Sequence, residues 1–549
     1  MSSLRSREKG NTPTPRGSRQ STPTPKGTNK SGSKKTSSKI SARTQSVSKS
    51  PFGESPLIKF LGPFKPSSTQ WVLKYALVAV AVIVRAAVGL GPYSGYQSEP
   101  LHGDFEAQRH WMELTIHLPM SQWYFHDLEW WGLDYPPLTA YHSWLLGKIG
   151  SWIDPSWFEL YTSRKLDSYD LKSYLRTTVI ISELLVYVPA VIWFVRWHAK
   201  HHRLSPIDQG IASAAILFQP ALILIDHGHF QYNSVMLGLT LLAMVNLVYG
   251  HNLTASALFV LSLGFKQMAL YYAPIIFAYL LGTCVFPSIR IFRLTSIGIV
   301  TVTTMVLLFL PFFLAGGLPQ IAQAIHRIFP FARGLWEDKV ANFWCTINTF
   351  VKLKEVFTLQ QLQLVSLVAT ITSILPAMAI VFFRPKKHIL PWAFSASAWG
   401  FYLFSFQVHE KSILLPLMPA TLLLSSADKA ITSVVVWINN VSMFSLWPLL
   451  RREGLSLQYV VMVFVWNWML GSLHWSRLTK ETLPVNLFLR LVVIGSYVAM
   501  IALHIAEPWI PELLSARYPD IWVLANVSVC FGCFTIFWLW TLYNLYIEC

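Results

Sequence analysis

The stretch WVLKYALVAVAVIVRAAVGL, residues 71–90, holds only Lys74 and Arg85 among otherwise apolar or small side chains. Twenty helical residues rise about 30 Å, the hydrocarbon thickness of a bilayer. The stretch therefore reads as a membrane span. Thirteen further apolar stretches follow, near 177–196, 208–226, 229–249, 253–264, 267–285, 293–315, 360–383, 389–406, 411–426, 429–448, 456–474, 485–506 and 520–546. They predict an all-α polytopic membrane protein with roughly 14 transmembrane helices. Composition agrees, since 53% of the residues are hydrophobic and 13% charged, about half the charged share of a soluble domain.

A net charge of +17 raises the question of a nucleic-acid partner, and the position of the charge argues against one. Fourteen cations against Glu8 and Glu54 give the first 65 residues +12, which leaves +5 for the remaining chain. Residues 1 to about 50 are a Ser/Thr/Pro/Gly/Lys tract that buries too little apolar surface to offset its ordering entropy. They lack the apolar core and small-residue cleavage site of a signal peptide. We expect 1–65 to be a disordered basic cytosolic tail, touching anionic lipid or acting as a plain spacer, ahead of a membrane domain over 66–549.

Cations before the first span place the N-terminus in the cytosol, and an even number of spans returns the C-terminus there. The loops that then fall on the cytosolic side, 196–203, 287–293, 384–388 and 474–481, are all basic. Arg451 and Arg452 break the pattern. Loops on the opposite side are long, about 91–176 and 316–356, and long loops are where function concentrates.

The first long loop contains DFEAQRHWMELTIHL (104–118), with Glu106, Arg109, His110, Glu113 and His117 on one helical stripe and Phe105, Met112 and Ile116 on the other. That pattern predicts an amphipathic helix in the membrane interface. Asp104 stands at its start, as an N-cap or as a reactive carboxylate. Residues 123–144 crowd aromatic rings with Asp127, Glu129 and Asp134, which suits either a headgroup belt or a sugar site. Asp226, His227, His229, Gln231 and Asn233 share one short turn. An H-x-H beside Asp226 could bind a metal, but the spacing is not diagnostic of one, and polar lining of a cavity is the expected role. Lys266, the group His326, Arg327, Arg333 and Lys339, and the group His409, Glu410 and Lys411 all fall on the same side. Snorkelling would explain each alone, while together they suit a phosphate or diphosphate. No nucleotide-binding loop, metalloprotease helix or nucleophile elbow is present. Cys530 and Cys533 lie inside an apolar stretch and read as buried, inert thiols.

The stretches GDFEAQRHWME, WGLDYPPLTAYHS, IDHGHFQYNSVMLG, FKQMALYYAP, HRIFPFARGLWEDKVANFWC and FQVHEKSILLPL resemble, in order, the endoplasmic-reticulum glucosyltransferases that use dolichyl phosphate glucose to extend lipid-linked oligosaccharide. The resemblance runs from about residue 55 to the C-terminus. It implies the GT-C fold, a lumenal site and a multi-pass protein of the endoplasmic reticulum membrane. It also implies glucose transfer in an α-1,3 linkage, with inversion, to dolichyl diphosphate oligosaccharide bearing no glucose; the enzyme adding the second glucose is the neighbouring reading. Asp104 matches the position of the family's catalytic base, and Lys266, Arg327, His409 and Lys411 become candidates for the donor phosphate. Glu106, Arg109, Asp134, Tyr135, Asp226, His227, His229 and Gln231 become candidates for sugar or acceptor. Neither metal nor cofactor is expected. A transporter or flippase would instead show matching halves and ionisable groups at mid-membrane.

Overall fold

The computed structural model describes residues 50–66, 68–100, 102–329, 339–473, 486–509 and 520–549. The expectations for residues 1–49, for Arg333 and for the basic loop 474–481 lie outside the described residues. Among the described residues the chain is helical without strands. The principal helices are α1 (Gln70–Gly89), α2 (Gly103–His117), α3 (Pro137–Ile153), α4 (Tyr169–His202), α5 (Pro206–Leu217), α6 (Asn233–Tyr249), α7 (Asn252–Phe265), α8 (Ala273–Val285), α9 (Ile291–Ile328), α10 (Phe343–Phe350), α11 (Leu359–Phe383), α12 (Leu390–Phe404), α13 (Leu414–Leu422), α14 (Lys429–Ser445), α15 (Trp447–Arg452), α16 (Ser456–Met469), α17 (Leu487–Trp509) and α18 (Ile521–Glu548).

All fourteen apolar stretches coincide with helix, but only eight helical segments among the described residues are long and apolar enough to cross a membrane. The other six stretches form α6, α7, α12, α13, α14 and α16, which are 9 to 17 residues long. Glycine and polar turns cut these pieces short, as where α6 ends on Gly250 with φ of 92° and α7 ends on Lys266. The segment Pro206–Phe230 is the interior element, 94% buried over its most apolar window, whereas α9 is 17% buried there and turns its apolar side chains outward. Arg85 on α1 grips Glu183 on α4 at 2.6 Å, and Glu183 also meets His227 at 2.7 Å. All three are buried, so a compensated charge cluster pins α1, α4 and the segment after α5 together.

Three expectations about the loops change. Residues 50–65 belong to the folded body rather than to the tail: Phe52 is buried, Leu57–Leu61 is helical, and Ser55 Oγ donates to the Met469 carbonyl at 2.6 Å. Phe52, Leu57 and Leu61 supply anchors that the preceding polar tract lacks. The 316–356 stretch does not begin as a loop. Gly317, at φ 65° and ψ −155°, breaks α9, which resumes after Pro319 and runs to Ile328, so Arg327 is carried on a helix. Finally, α2 is not an interfacial helix, because its residues from Phe105 to Thr115 are buried on every side. Its charged stripe is neutralised internally, not hydrated.

Candidate active site

Asp104 sits on the second residue of α2, and the start of that helix is fixed by backbone against backbone. Gly95 and Gly103 both have positive φ, 76° and 63°. A Cβ on Gly95 would lie 2.1 Å from the His102 carbonyl carbon, and one on Gly103 would lie 2.6 Å from the Gly95 nitrogen. Only glycines allow this approach. Ser94 completes the joint, because its Oγ accepts from Asp104 N at 3.2 Å and its N–H donates to the His229 carbonyl at 2.9 Å. Tyr93 stacks on Phe105 at 4.0 Å, and Phe105 packs on Phe230 at 4.9 Å. The helix cap is His102, in a left-handed conformation, and not Asp104.

The carboxylate of Asp104 is therefore available for other work. Lys411 Nζ donates to its Oδ2 at 2.5 Å, His229 Nε2 lies 2.9 Å from the same oxygen, and Gln231 Nε2 donates to it as well. Among the described residues all three contacts fall on Oδ2, which leaves Oδ1 for a ligand. Burial acts to raise the Asp104 pKa, but the Lys411 cation and the His229 contact outweigh it and hold the carboxyl well below its ordinary range.

His229 and Gln231 reach Asp104 because the chain is wound unusually just before them. Leu224–Phe230 is π-helical, a winding that recurs at functional sites. Phe230, its last residue, has φ of 88°. On its other side His229 Nδ1 meets Glu453 Oε1 at 2.7 Å, so the ring is held between two carboxylates. Gln231 Oε1 accepts from Lys266 Nζ at 2.8 Å, and Asn233 Oδ1 accepts from it at 2.6 Å. The Lys266 ammonium also lies 4.8 Å from the centre of the Tyr135 ring. Burial, reinforced by the Lys411 charge, pulls the Lys266 pKa down to about 8.

These groups line one cavity of about 250 Å³. Of the nominated residues, Asp104, Asp134, Tyr135, Gln231, Lys266, Arg327, His409 and Lys411 line it together. Arg327 donates to the carbonyls of Gly132 at 3.0 Å and Leu133 at 3.3 Å, which fixes its guanidinium in the wall. His229 stands behind Asp104 without lining the cavity.

Four predicted residues do not belong there. Glu106 and Arg109 close on each other at 2.7 Å, with Glu113 at 2.6 Å on the same guanidinium, fully enclosed by protein. Asp226 accepts from the backbone N–H groups of Asn233 and Ser234 and so caps α6. His227 is taken up by Glu183. The aromatic stretch divides too. Trp123 and Tyr124 pack into a core with Phe312, while Trp131 and Tyr135 reach the cavity. Sequence reasoning missed Gln108, Trp111 and Trp131 as lining residues, and above all Glu453. The unexplained pair Arg451 and Arg452 pointed to that region. Arg451 pairs with Glu507, and Glu453 next to it holds His229.

Among the described residues no group of three or more His, Cys, Asp or Glu side chains could hold a metal ion. Cys530 and Cys533 are buried free thiols. What the cavity assembles is one anchored carboxylate facing four cationic or imidazole side chains on a helical membrane scaffold. Such a site can deprotonate a hydroxyl and hold an anionic leaving group. The chain belongs to the ALG6, ALG8 glycosyltransferase family, whose pattern it matches over residues 73–540. It is a membrane glycosyltransferase. Its relatives include the dolichyl pyrophosphate Man9GlcNAc2 alpha-1,3-glucosyltransferase of Saccharomyces cerevisiae, 54% identical over 520 residues that make up 90% of this chain and 95% of that protein. A protein of Schizosaccharomyces pombe with the same name, qualified as probable, is 48% identical over 89% of this chain and 95% of its own length. The Gallus gallus enzyme of that name is 42% identical over 71% and 77%.

Proposed function

We propose that this chain transfers glucose from dolichyl phosphate glucose to the terminal mannose of a dolichyl-diphosphate-linked Man9GlcNAc2 oligosaccharide, forming an α-1,3 linkage with inversion. The reading places it in the endoplasmic reticulum membrane, with the site lumenal, both termini cytosolic and residues from about 50 onward forming a GT-C domain. The observation that carries it is the Asp104 carboxylate, held by three donors on Oδ2 in the wall of a cavity rich in cations. The acceptor hydroxyl gives its proton to Oδ1 as its oxygen attacks the anomeric carbon, and the bond to the phosphate oxygen breaks on the opposite face. A phosphate monoester leaves as an anion and requires no proton, only charge compensation.

Lys266, Arg327, His409 and Lys411 supply that compensation. Lys411 has a second effect. While it is bound to Asp104 it weakens the carboxylate as a base, since an efficient base titrates nearer the working pH. A donor phosphate that draws Lys411 toward itself relaxes this hold, so the base strengthens when the leaving group is in place. Asp134, Tyr135 and Gln231 remain for sugar hydroxyls.

The test is transfer by purified protein from dolichyl phosphate glucose to acceptors bearing no glucose or one glucose. Extension of the non-glucosylated acceptor alone is expected. Extension of only the singly glucosylated acceptor would identify a second-glucose enzyme, and no transfer to either would overturn the reading.

A further inference from the structure

A second cavity, of about 680 Å³, opens beside the first and is lined by Tyr96, Asp167, Tyr169, Lys172, Arg452 and Glu453, among others. The two are neighbours through one side chain. Glu453 lines the second cavity and holds His229 at 2.7 Å, and His229 meets Asp104, in the first, at 2.9 Å. Tyr96 lies two residues beyond Ser94, which accepts the Asp104 N–H.

We propose that this second cavity is the cleft for the acceptor's glycan, holding mannose residues behind the one that receives glucose. The inference rests on the glucosyltransferase reading. Size is the first argument. Pockets for drug-sized ligands run to roughly 300–1,000 Å³, so a 250 Å³ cavity is small for a glucosyl phosphate together with the sugar it meets and has no room for a branched oligosaccharide. The remaining sugars need adjoining space, and the second cavity, shallower and more open than the first, provides it next to Asp104.

Chemistry is the second argument. The first cavity concentrates cations, whereas the second pairs two acids, Asp167 and Glu453, with two cations, Lys172 and Arg452, and so has no formal excess of either sign. That balance suits a neutral polyol and not a diphosphate. Tyr96 and Tyr169 are 41% and 75% exposed at its edge, flat faces on which the C–H side of a pyranose can stack. The carboxylates, the ammonium and the guanidinium are the bidentate and branched partners that vicinal hydroxyls take.

Tyr96→Ala and Tyr169→Ala, on side chains exposed enough to leave the fold intact, are the variants of choice. KM for the lipid-linked Man9GlcNAc2 acceptor is expected to rise on the order of tenfold, with KM for dolichyl phosphate glucose and the rate at saturating acceptor unchanged. An acceptor carrying only the mannose arm that receives glucose is expected to show no such rise. Direct binding separates this proposal from the reading on which it rests. Free Man9GlcNAc2 glycan, without donor, is expected to give saturation-transfer NMR signals with the wild-type chain that Tyr169→Ala loses, whether or not glucose is transferred. Unchanged acceptor KM together with unchanged glycan signals would overturn the proposal. A rise in donor KM instead would reassign the cleft to the donor lipid.

Discussion

Helix α2 carries two polar clusters a few residues apart, and they do opposite things with similar side chains. Glu106, Arg109, His110 and Glu113 close on one another and on Ser163, and Glu113 Oε1 accepts the Tyr161 N–H at 2.8 Å. Asp104, one turn earlier, is tethered through one oxygen and lines a cavity. The first cluster is a buried structural joint, because each charge already has its partners. The second is a site, because its partners leave one position open. Residue type does not separate them; the saturation of each carboxylate does.

The comparison breaks most visibly at Asp104. Asp104→Asn keeps shape and hydrogen-bonding capacity but removes the base, so transfer in purified protein is expected to fall at least 10²–10⁴-fold, roughly the worth of general base catalysis, with donor binding retained. Retention of more than a few per cent activity would sink Asp104 as the base. Glu453→Gln comes next. It frees the His229 ring from its second carboxylate, and a charged hydrogen bond of about 1.5–3 kcal/mol corresponds to roughly a tenfold to hundredfold fall in kcat. Glu453→Asp should recover part of that loss and a purely packing role would not. Glu113→Gln attacks the closed cluster. It leaves Arg109 short of a buried partner and is expected to destabilise the protein by about 3 kcal/mol, read as a lower Tm, while the folded fraction keeps its KM for donor.

Two pH effects sharpen the contrast at smaller scale. Burial opposes, but His110 and Arg109 outweigh it and lower the Glu113 pKa from 4.5 to about 2. The stability this gives is present above pH 4.5 and fades as pH falls toward 2, an effect that Glu113→Gln should abolish in thermal melts across that range. Lys266 titrates at about 8, so its charge is present below that pH and lost above it. KM for donor is expected to rise on the alkaline side of pH 8 and to lose that rise in Lys266→Met.

Much of this was legible in the sequence. Hydropathy located every helical apolar stretch, and eight of the thirteen nominated site residues line the cavity. Where the reading went wrong, the cause was contact. Glu106 and Arg109 lie on the face of α2 opposite the one that lines the cavity, which is Asp104, Ala107, Gln108 and Trp111, and their spacing to each other and to Glu113 is that of intrahelical ion pairs. Asp226 and His227 share a turn with His229 and Gln231, but the π-helical winding sends them to a helix cap and to Glu183. Glu453 is some 350 residues from Asp104 in sequence, and only the fold brings it to His229.

The saturation of Asp104 Oδ2 also bears on turnover. Even with Lys411 drawn to the donor phosphate, His229 and Gln231 keep their hold on Oδ2 and resist rotation of the carboxyl group about its Cβ–Cγ bond. On the proposed reading, the proton taken from the acceptor stays on Oδ1, against the newly glucosylated product. Resetting the base then waits on departure of the glycan and entry of water, which makes product exit and reprotonation balance a single event in the catalytic cycle.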